Sequence, residues 1–365
     1  MTNPFAAIKS VEVRLATPED SHLEAFDFTK LSNINMCPKW GIIRYGHHKT
    51  ISTGGRALAL EAGAACHEFF AAVRLLDLLH ESRDKPLNDH FHFHGSKEFG
   101  EVRWENMISY LESGEDDRTR YMNFALEALY STGYYDDPSD KRRTLSNLEE
   151  SCIFYFDRWQ QLGGQQRVWV EDVLDPKSRV GVEIAFELVV TFTLQDGVTK
   201  SYRFTGKMDG LHWSTRGELV IQENKTASRL GDAWGQAFLM SHQVTGYSLA
   251  ATTWSGVACN NALIIGLCIP LPQRAATYGG TQTEAVKRSQ EQVAKWFEWF
   301  YHTTQLSDMY KNDPLNAPEY THSCNRFFRP CSLIPLCASP HEEQKIILEE
   351  MAVEEWSPLH EKAGD

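Results

Sequence analysis

The chain has 365 residues, 42% of them hydrophobic and 12% aromatic, which is enough to bury a sizeable core and excludes a largely disordered protein. Its 36 Lys and Arg residues face 49 Asp and Glu, and the net charge of -13 excludes a protein that coats nucleic acid over its whole surface, leaving only a local basic groove for such contact. No apolar run approaches the roughly 20 residues of a bilayer span and no signal-peptide layout is present, so we expect a cytoplasmic protein without a membrane partner.

The first strongly patterned segment is rich in Ala and Leu and has no Pro, which predicts a helix from Arg56 to about Leu79. We assign residues 1–80 to an N-terminal segment that contains this helix. Residues 81–165 are assigned to a mainly helical insertion, because helical runs alternate there with Gly and Asp-Pro breaks. These runs are ENMISYLES, RYMNFALEALY and LEESCIFYFDRWQQL.

From residue 166 the pattern changes to strand-like runs, first RVWVEDV and then VGVEIAFELVVTFTL. The turn signal Asp196-Gly197 predicts antiparallel pairing of the second run with KSYRFTGKMDGLHW, and GELVIQENKT follows as a further strand. A helix is predicted at about 232–252, then a buried strand NALIIGLCIPL, then a long helix at about 284–304. We assign residues 166–310 to a core domain of α/β class, a central mixed β-sheet flanked by helices.

Residues 311–340 carry three of the eight cysteines, and residues 341–365 form an acidic tail, predicted to be a solvated helix or a frayed end. The uneven spacing of the cysteines does not indicate a disulfide framework. Four of them lie among apolar or small residues and are predicted to be buried thiols: Cys66, Cys152, Cys259 and Cys268.

Three ionisable residues fall on two neighbouring predicted strands. Asp209 lies near the end of one strand, and Glu223 and Lys225 lie on the next, beyond a short hairpin. The hairpin brings the two carboxylates together, and the side chains of Glu223 and Lys225 share a face because they are two residues apart. Carboxylate oxygens suit Mg²⁺ or Mn²⁺, and the ammonium group beside them suits phosphodiester hydrolysis. Taken alone, the pattern favours ordinary hairpin-end carboxylates and a solvated lysine, because such short patterns recur by chance.

Two further patterns accompany this trio. The predicted helix carries His67 in the stretch Gly-Ala-Ala-Cys-His, and a histidine in such surroundings is more often a core residue than a ligand. The helix after the strands carries Gln243 and Tyr247, four residues apart and therefore on one face, where they can bind a phosphate or a base or simply pack.

Read in order, Gly-x3-His, Gly-x2-Asp, Glu-x-Lys and Gln-x3-Tyr resemble the RecB-like branch of the PD-(D/E)XK nucleases, over residues from about 32 to 337. This branch includes CRISPR-associated adaptation exonucleases and phage-encoded homologues. The resemblance implies a restriction-endonuclease-like fold. One departure is Met208, which stands where the superfamily name has proline.

The resemblance also implies roles for individual residues. His67, Asp209, Glu223 and the carbonyl of Asn224 would ligate the metal. Asp209, Glu223 and Lys225 would be catalytic, and Gln243 and Tyr247 would position DNA. Glu183 matches a position at which this branch often has an acidic residue.

A second set of cysteines comprises Cys37, which precedes a proline, and Cys324, Cys331 and Cys337 near the other end of the chain. Four thiolates suffice for a [4Fe-4S] cluster or a structural zinc ion, and reduced core thiols are the third alternative. Zinc sites usually use close C-x2-C pairs, which are absent here. The arrangement resembles the iron-sulfur staple of RecB-like nucleases, which implies a structural [4Fe-4S] cluster that ties the chain ends together, although six residues separate Cys324 from Cys331 where many members have two.

The expected function is a DNA nuclease, an exonuclease on single-stranded DNA or DNA ends in recombination, repair or phage DNA processing. The chain contains no G-x4-G-K-[ST] motif, so unwinding would require a helicase or recombination partner. The alternative is a catalytically silent DNA-end-binding module of a larger recombination or CRISPR-adaptation complex.

Overall fold

The computed structural model describes residues 8–51, 57–81, 117–162, 182–214, 216–274, 279–326 and 329–356. The chain forms two compact units, each from several segments. The first unit comprises Met1–Arg56, Phe186–Gly206 and Gln290–Asp365, and the second comprises Ala57–Ala185 and Lys207–Ser289.

The helices and strands follow one another in this order: β1 (Ile8–Leu15), β2 (Ala25–Phe26), α1 (Phe28–Met36), α2 (Pro38–Gly41), β3 (Lys49–Thr50), α3 (Leu58–Glu81), α4 (Asp117–Tyr130), α5 (Leu145–Leu162), β4 (Val182–Leu194), β5 (Thr199–Trp213), β6 (Leu219–Ala227), α6 (Asp232–Gln236), α7 (His242–Ser255), β7 (Asn261–Cys268), β8 (Gly280–Lys287), α8 (Gln290–Tyr310), β9 (Asn325–Arg326), β10 (Arg329–Pro330), α9 (Ile334–Ala338), α10 (His341–Glu350) and β11 (Ala352–Val353).

The main sheet has the strand order β1-β4-β5-β6-β7-β8, with β2 beside β5. The pairs β1–β4, β5–β6 and β7–β8 are antiparallel, whereas β6–β7 and β2–β5 are parallel. The expected mixed sheet of an α/β protein with flanking helices is therefore confirmed. The restriction-endonuclease-like fold stays a prediction.

The predicted hairpin between β4 and β5 is also confirmed, since the two strands are neighbours in the sheet. In the turn, the Asp196 carboxylate accepts a hydrogen bond from the backbone N–H of Val198 at 3.0 Å. Gly197 adopts a φ of +83°, a conformation that side chains with a Cβ rarely take. The Asp-Gly pair thus has the backbone preferences that the turn requires.

Aromatic side chains form the core of the first unit. Phe204 on β5 packs edge to face on Trp296 of α8, with ring centroids 5.0 Å apart. Phe300, one turn further along α8, is fully buried and stacks on Phe192 of β4 at 5.9 Å. Close aromatic packing of this kind adds to the stabilisation from burial alone.

A smaller apolar cluster in the first unit lies near its C-terminal segments. It contains Ile43, Leu333 and Leu336, and the side chains of Cys331 and Cys337 pack against it. The acidic tail begins as a helix, α10, as predicted, and β11 then pairs with β3. Residues 357–365 of the tail lie outside the described ranges.

The core of the second unit is formed by α3, α4, α5 and β7. Phe70 of α3 packs on Tyr155 of α5 with ring centroids 4.4 Å apart. Cys66 and Cys152 are buried in this core with their sulfur atoms 3.9 Å apart. Cys259 and Cys268 are buried too, so the prediction of four buried thiols is confirmed.

Three details differ from the expected elements. The predicted start of a helix at about 284 is wrong, because residues up to Lys287 form β8 and the helix α8 begins at Gln290. The helix predicted at about 232–252 is interrupted, giving α6 and α7. The strand β1 was not expected at all. The predicted helix ENMISYLES and the predicted strand RVWVEDV lie outside the described residues.

Candidate metal centre

The β5–β6 hairpin places two acidic residues side by side. Its paired residues extend from the turn to Gly210 and Gln222, and Asp209 and Glu223 come next on their strands. Beyond the paired residues, Gly217 adopts a φ of +74°, a conformation that residues with a Cβ rarely take. Asp209 and Glu223 are only 6% and 2% exposed. The juxtaposition expected from the sequence is therefore present, and both carboxylates lie in the interior.

Three side chains converge in the second unit. His67 of α3 lies with its Nδ1 atom 3.4 Å from Oδ1 of Asp209. Glu183 of β4 completes the group, since one potential ligand atom from each of the three residues lies within 4.8 Å of the other two. Within the described parts of the chain, this is the group of His, Cys, Asp and Glu side chains with a spacing that suits a metal ion. A nitrogen and two carboxylate oxygens suit a divalent cation such as Mn²⁺.

Glu183 contributes more to this group than the sequence indicated. It adopts a φ of +51° although it lies in a strand and is not glycine. Such a conformation costs free energy and persists only where the surroundings impose it. The Lys207 ammonium lies 2.8 Å from Oε2 of Glu183. The sequence provided no sign of the positive φ, so the convergence of Glu183 with His67 and Asp209 emerged only from the structure.

Glu223 and Lys225 form a second pair beside this group. The Lys225 ammonium donates a hydrogen bond to Oε1 of Glu223. The other oxygen, Oε2, is buried without a hydrogen-bond partner among the residues that the structure describes. An unsatisfied buried carboxylate oxygen is costly, which suits an atom whose partner is a bound ion or a substrate water. Glu223 therefore lies in the same site, but outside the group formed by His67, Glu183 and Asp209.

Asn224 fixes the orientation of Asp209. Its backbone N–H donates a hydrogen bond of 2.6 Å to Oδ2 of Asp209, which leaves Oδ1 facing His67. Because the N–H comes from the strand backbone, the carboxylate is held without relying on another flexible side chain.

Burial and mutual charge shift the pKa values in this cluster. Burial is the main cause that raises the pKa of Glu183 and of Glu223 to about 7, and the charge of Asp209 adds to it. Burial alone would lower the pKa of His67, but the charge and hydrogen bond of Asp209 outweigh it and raise that pKa to about 9. Burial acts to raise the pKa of Asp209, yet His67 and Lys225 lower it overall. The carboxyl groups thus compete for limited positive charge, as expected where a cation is to bind.

Gln243 and Tyr247 lie together on α7, as the four-residue spacing predicted. The Gln243 amide donates a hydrogen bond of 2.9 Å to the Tyr247 hydroxyl. The helix α7 packs on β6, the strand that carries Glu223 and Lys225. Binding of DNA by this pair stays a prediction.

The second set of cysteines lies in the first unit. Cys37, Cys324, Cys331 and Cys337 are free thiols and partly exposed. The backbone N–H of Cys331 donates a hydrogen bond of 2.8 Å to the carbonyl of Cys324. Burial raises the pKa of Cys337 to about 12, and the neighbouring Cys37 and Cys331 contribute to the rise. Cys37, Cys331 and Cys337 are therefore neighbours, and the backbone hydrogen bond ties Cys324 to Cys331. In the described parts of the chain these thiols do not form a group with the close ligand spacing of His67, Glu183 and Asp209, and a bound cluster stays a prediction.

No helix in the described ranges combines the length and the apolar character needed to cross a bilayer.

Comparison with known proteins provides little further guidance. No protein-family model matches the chain, and no curated protein does. One similar solved structure is the crystal structure of SSO0001, at 12% identity and a TM-score of 0.28, covering 64% of this chain and 93% of that chain. Another is the crystal structure of Scheffersomyces stipitis Rai1 in complex with (3'-NADP)+ and calcium ion, at 10% identity and a TM-score of 0.19. It covers 82% of this chain and 75% of that chain. At these TM-scores neither likeness supports an argument about fold or function.

Proposed function

We propose that this chain is a metal-dependent DNA nuclease of the RecB-like PD-(D/E)XK type, an exonuclease that hydrolyses phosphodiester bonds in single-stranded DNA or at DNA ends. The observation that carries the proposal is the convergence of the half-buried His67 with the buried Glu183 and Asp209, beside the Glu223–Lys225 pair. The order of the sequence motifs supports the same reading.

The donor set fits Mg²⁺ or Mn²⁺. Carboxylate oxygens predominate, the histidine accounts for the nitrogen, and Oε2 of Glu223 lacks a protein partner in the described structure. In this proposal His67, Asp209, Glu223 and the Asn224 carbonyl hold the cation, with Glu183 as an additional ligand. When bound, the cation activates water and neutralises charge on the phosphate group.

The protein side chains then have separate tasks. The Lys225 ammonium places a positive charge next to Glu223, where it can orient the attacking water and stabilise the charge that develops on the phosphate oxygens. Oε2 of Glu223 can accept a hydrogen bond from that water. Asp209 keeps its orientation through the Asn224 N–H. Gln243 and Tyr247 contact the DNA strand and align the scissile bond.

The test is a cleavage assay on labelled single- and double-stranded DNA with Mn²⁺ or Mg²⁺. Lys225→Ala should lower the rate by about 10²-fold or more, because it removes a charge that acts in the transition state. Lys311→Ala, at a half-exposed lysine of the other unit, is the matched control and should cleave like wild type. Equal products from wild type and Lys225→Ala would sink the catalytic assignment. DNA-end binding without cleavage by the wild type would instead favour a catalytically silent module that serves a helicase or recombination partner.

For the cysteines of the first unit, we propose a structural [4Fe-4S] cluster held by Cys37, Cys324, Cys331 and Cys337. Protein purified without oxygen should be brown and contain about four irons per chain. Cys337→Ser should lose iron, whereas Cys259→Ser, at a buried thiol of the other unit, should retain it. A colourless protein with one zinc per chain would refute the cluster.

A further inference from the structure

A chain of buried polar side chains lies behind the candidate metal centre. The Arg74 guanidinium donates a hydrogen bond to Oε1 of Gln222. The Gln222 amide donates to Oδ1 of Asn224 at 3.2 Å, and the Tyr155 hydroxyl donates to the same oxygen at 3.1 Å. The four residues come from α3, β6 and α5, all in the second unit. We refer to these four as the polar chain.

The polar chain lies on the opposite face of β6 from the catalytic side chains. Successive residues of a strand alternate in direction, so Gln222 and Asn224 point one way and Glu223 and Lys225 the other. Asn224 belongs to both arrangements. Its side chain is part of the polar chain, and its backbone N–H donates a hydrogen bond to Asp209. The side chain that the polar chain holds and the N–H that orients Asp209 therefore belong to the same residue.

The packing around Arg74 leaves little room for such movement. A Cβ atom on Gly210 would lie 2.9 Å from Cζ of Arg74, so the guanidinium lies directly against the β5 backbone beside Asp209. Arg74 is also seven residues after His67, two turns along the same helix. The helix α3 thus contacts the site twice, through the ligand His67 and through the anchor of the polar chain.

Stability alone does not explain these residue types. Gln222 and Asn224 are 0% and 2% exposed, and Tyr155 is 2% exposed. Apolar side chains would fill such interior positions of a sheet without the desolvation that polar groups suffer. Hydrogen bonds between polar side chains are more directional than apolar packing, which is useful where a backbone segment must keep one orientation.

We propose that the polar chain Arg74–Gln222–Asn224–Tyr155 is a positioning device that fixes the Asn224 peptide and thereby sets the affinity of the site for its divalent cation. The side chains of its members are positioning groups and do not touch the cation, and the backbone carbonyl of Asn224 is the one part of these residues that serves as a ligand in the proposed function. This inference rests on the metal site of the proposed function.

The test measures Mn²⁺ binding to the full-length protein, from the electron paramagnetic resonance signal of free Mn²⁺, without DNA. Tyr155→Phe removes one donor and keeps the ring packed on Phe70. It should weaken Mn²⁺ binding about tenfold, the effect typical of partners one step removed from a metal. Arg74→Lys should weaken it by a similar factor, because lysine lacks the planar fork of donors.

The matched control is Tyr134→Phe, which removes another buried tyrosine hydroxyl of the same unit, one that donates to the carbonyl of Arg143 at 2.5 Å. It should lower the melting temperature about as much as Tyr155→Phe and leave Mn²⁺ affinity unchanged. That separation of affinity from stability would support the positioning role. If Arg74→Lys fails to fold, the comparison of Tyr155→Phe with Tyr134→Phe alone tests the positioning role.

Equal Mn²⁺ affinity in wild type, Tyr155→Phe and folded Arg74→Lys would overturn the inference, as would equal weakening by Tyr134→Phe. A wild type that binds no Mn²⁺ would overturn both the metal site and the inference. DNA cleavage, measured in parallel, reports on the nuclease proposal only. A wild type that binds Mn²⁺ and leaves DNA intact overturns that proposal, whereas the affinity ratios still decide the positioning role.

Discussion

Replacing His212 with leucine is expected to remove a specific acid sensitivity from the second unit. His212 lies on β5, is 3% exposed, and its Nδ1 atom has no hydrogen-bond partner among the described residues. Burial, followed by the positive charge of Arg74, lowers its pKa from 6.5 to about 3. The folded protein therefore keeps this imidazole neutral at a pH where the unfolded chain protonates it.

The sign and size of the effect follow from these two values. Above pH 6.5 the imidazole is neutral in both states and contributes no pH dependence. As the pH falls below 6.5, the unfolded state binds a proton that the folded state refuses, so the free energy of unfolding falls by about 1.4 kcal/mol per pH unit. Between pH 7 and pH 5 the loss amounts to about 2 kcal/mol. It continues down to about pH 3, where the folded imidazole titrates as well.

The measurement is the free energy of unfolding in urea, for wild type and His212→Leu, at pH 7 and pH 5. The contribution of His212 is the change between the two pH values that wild type shows and His212→Leu does not. The difference is needed because Glu183 and Glu223, with pKa values raised to about 7, act in the opposite direction and stabilise the fold as the pH falls. The surface variant His341→Gln is the control and should keep the wild-type pH dependence. If the stability difference between wild type and His212→Leu stays the same at both pH values, His212 is not held neutral and the reasoning fails.

Three further outcomes are expected. Gly41→Ala should destabilise the first unit by about 3 kcal/mol in urea unfolding, because the new Cβ would lie 2.5 Å from backbone atoms of α1. Gly46→Ala is the control and should change the stability little, because the nearest atom to its new Cβ is 3.6 Å away. Glu183→Gln should weaken Mn²⁺ binding about tenfold or more and Glu187→Gln, four residues along β4, should not; equal affinities would remove Glu183 from the site. Phe300→Ala should cost about 3–5 kcal/mol in the same unfolding assay because it empties the centre of an aromatic core, and a loss below about 1 kcal/mol would contradict that packing.

The hairpin of the site was predictable because its signals are local. Alternating apolar residues, a glycine turn and polar residues at the strand ends suffice to place Asp209 and Glu223 together. The helix with His67 was equally plain from its composition. The buried thiols followed from their apolar neighbours.

Other features depend on partners that are distant in sequence. The end of β8, from residue 284 on, contains residues that suit a helix, yet the pairing of β8 with β7 overrides that preference. The strand β1 forms because β4 offers it an edge. Glu183 is separated from Asp209 by most of a hairpin, and no local pattern indicates that its backbone would take the conformation that brings it to His67.

The positive φ of Glu183 implies a trade-off between folding and function at this position. A glycine there would relieve the backbone strain and remove a buried carboxyl group, both of which favour the folded state, against the loss of the ion pair with Lys207. The same change would remove the Glu183 carboxylate from its group with His67 and Asp209. A Glu183→Gly protein that melts at a higher temperature than wild type but has lost its affinity for Mn²⁺ would mark this residue as one retained for chemistry at the expense of stability.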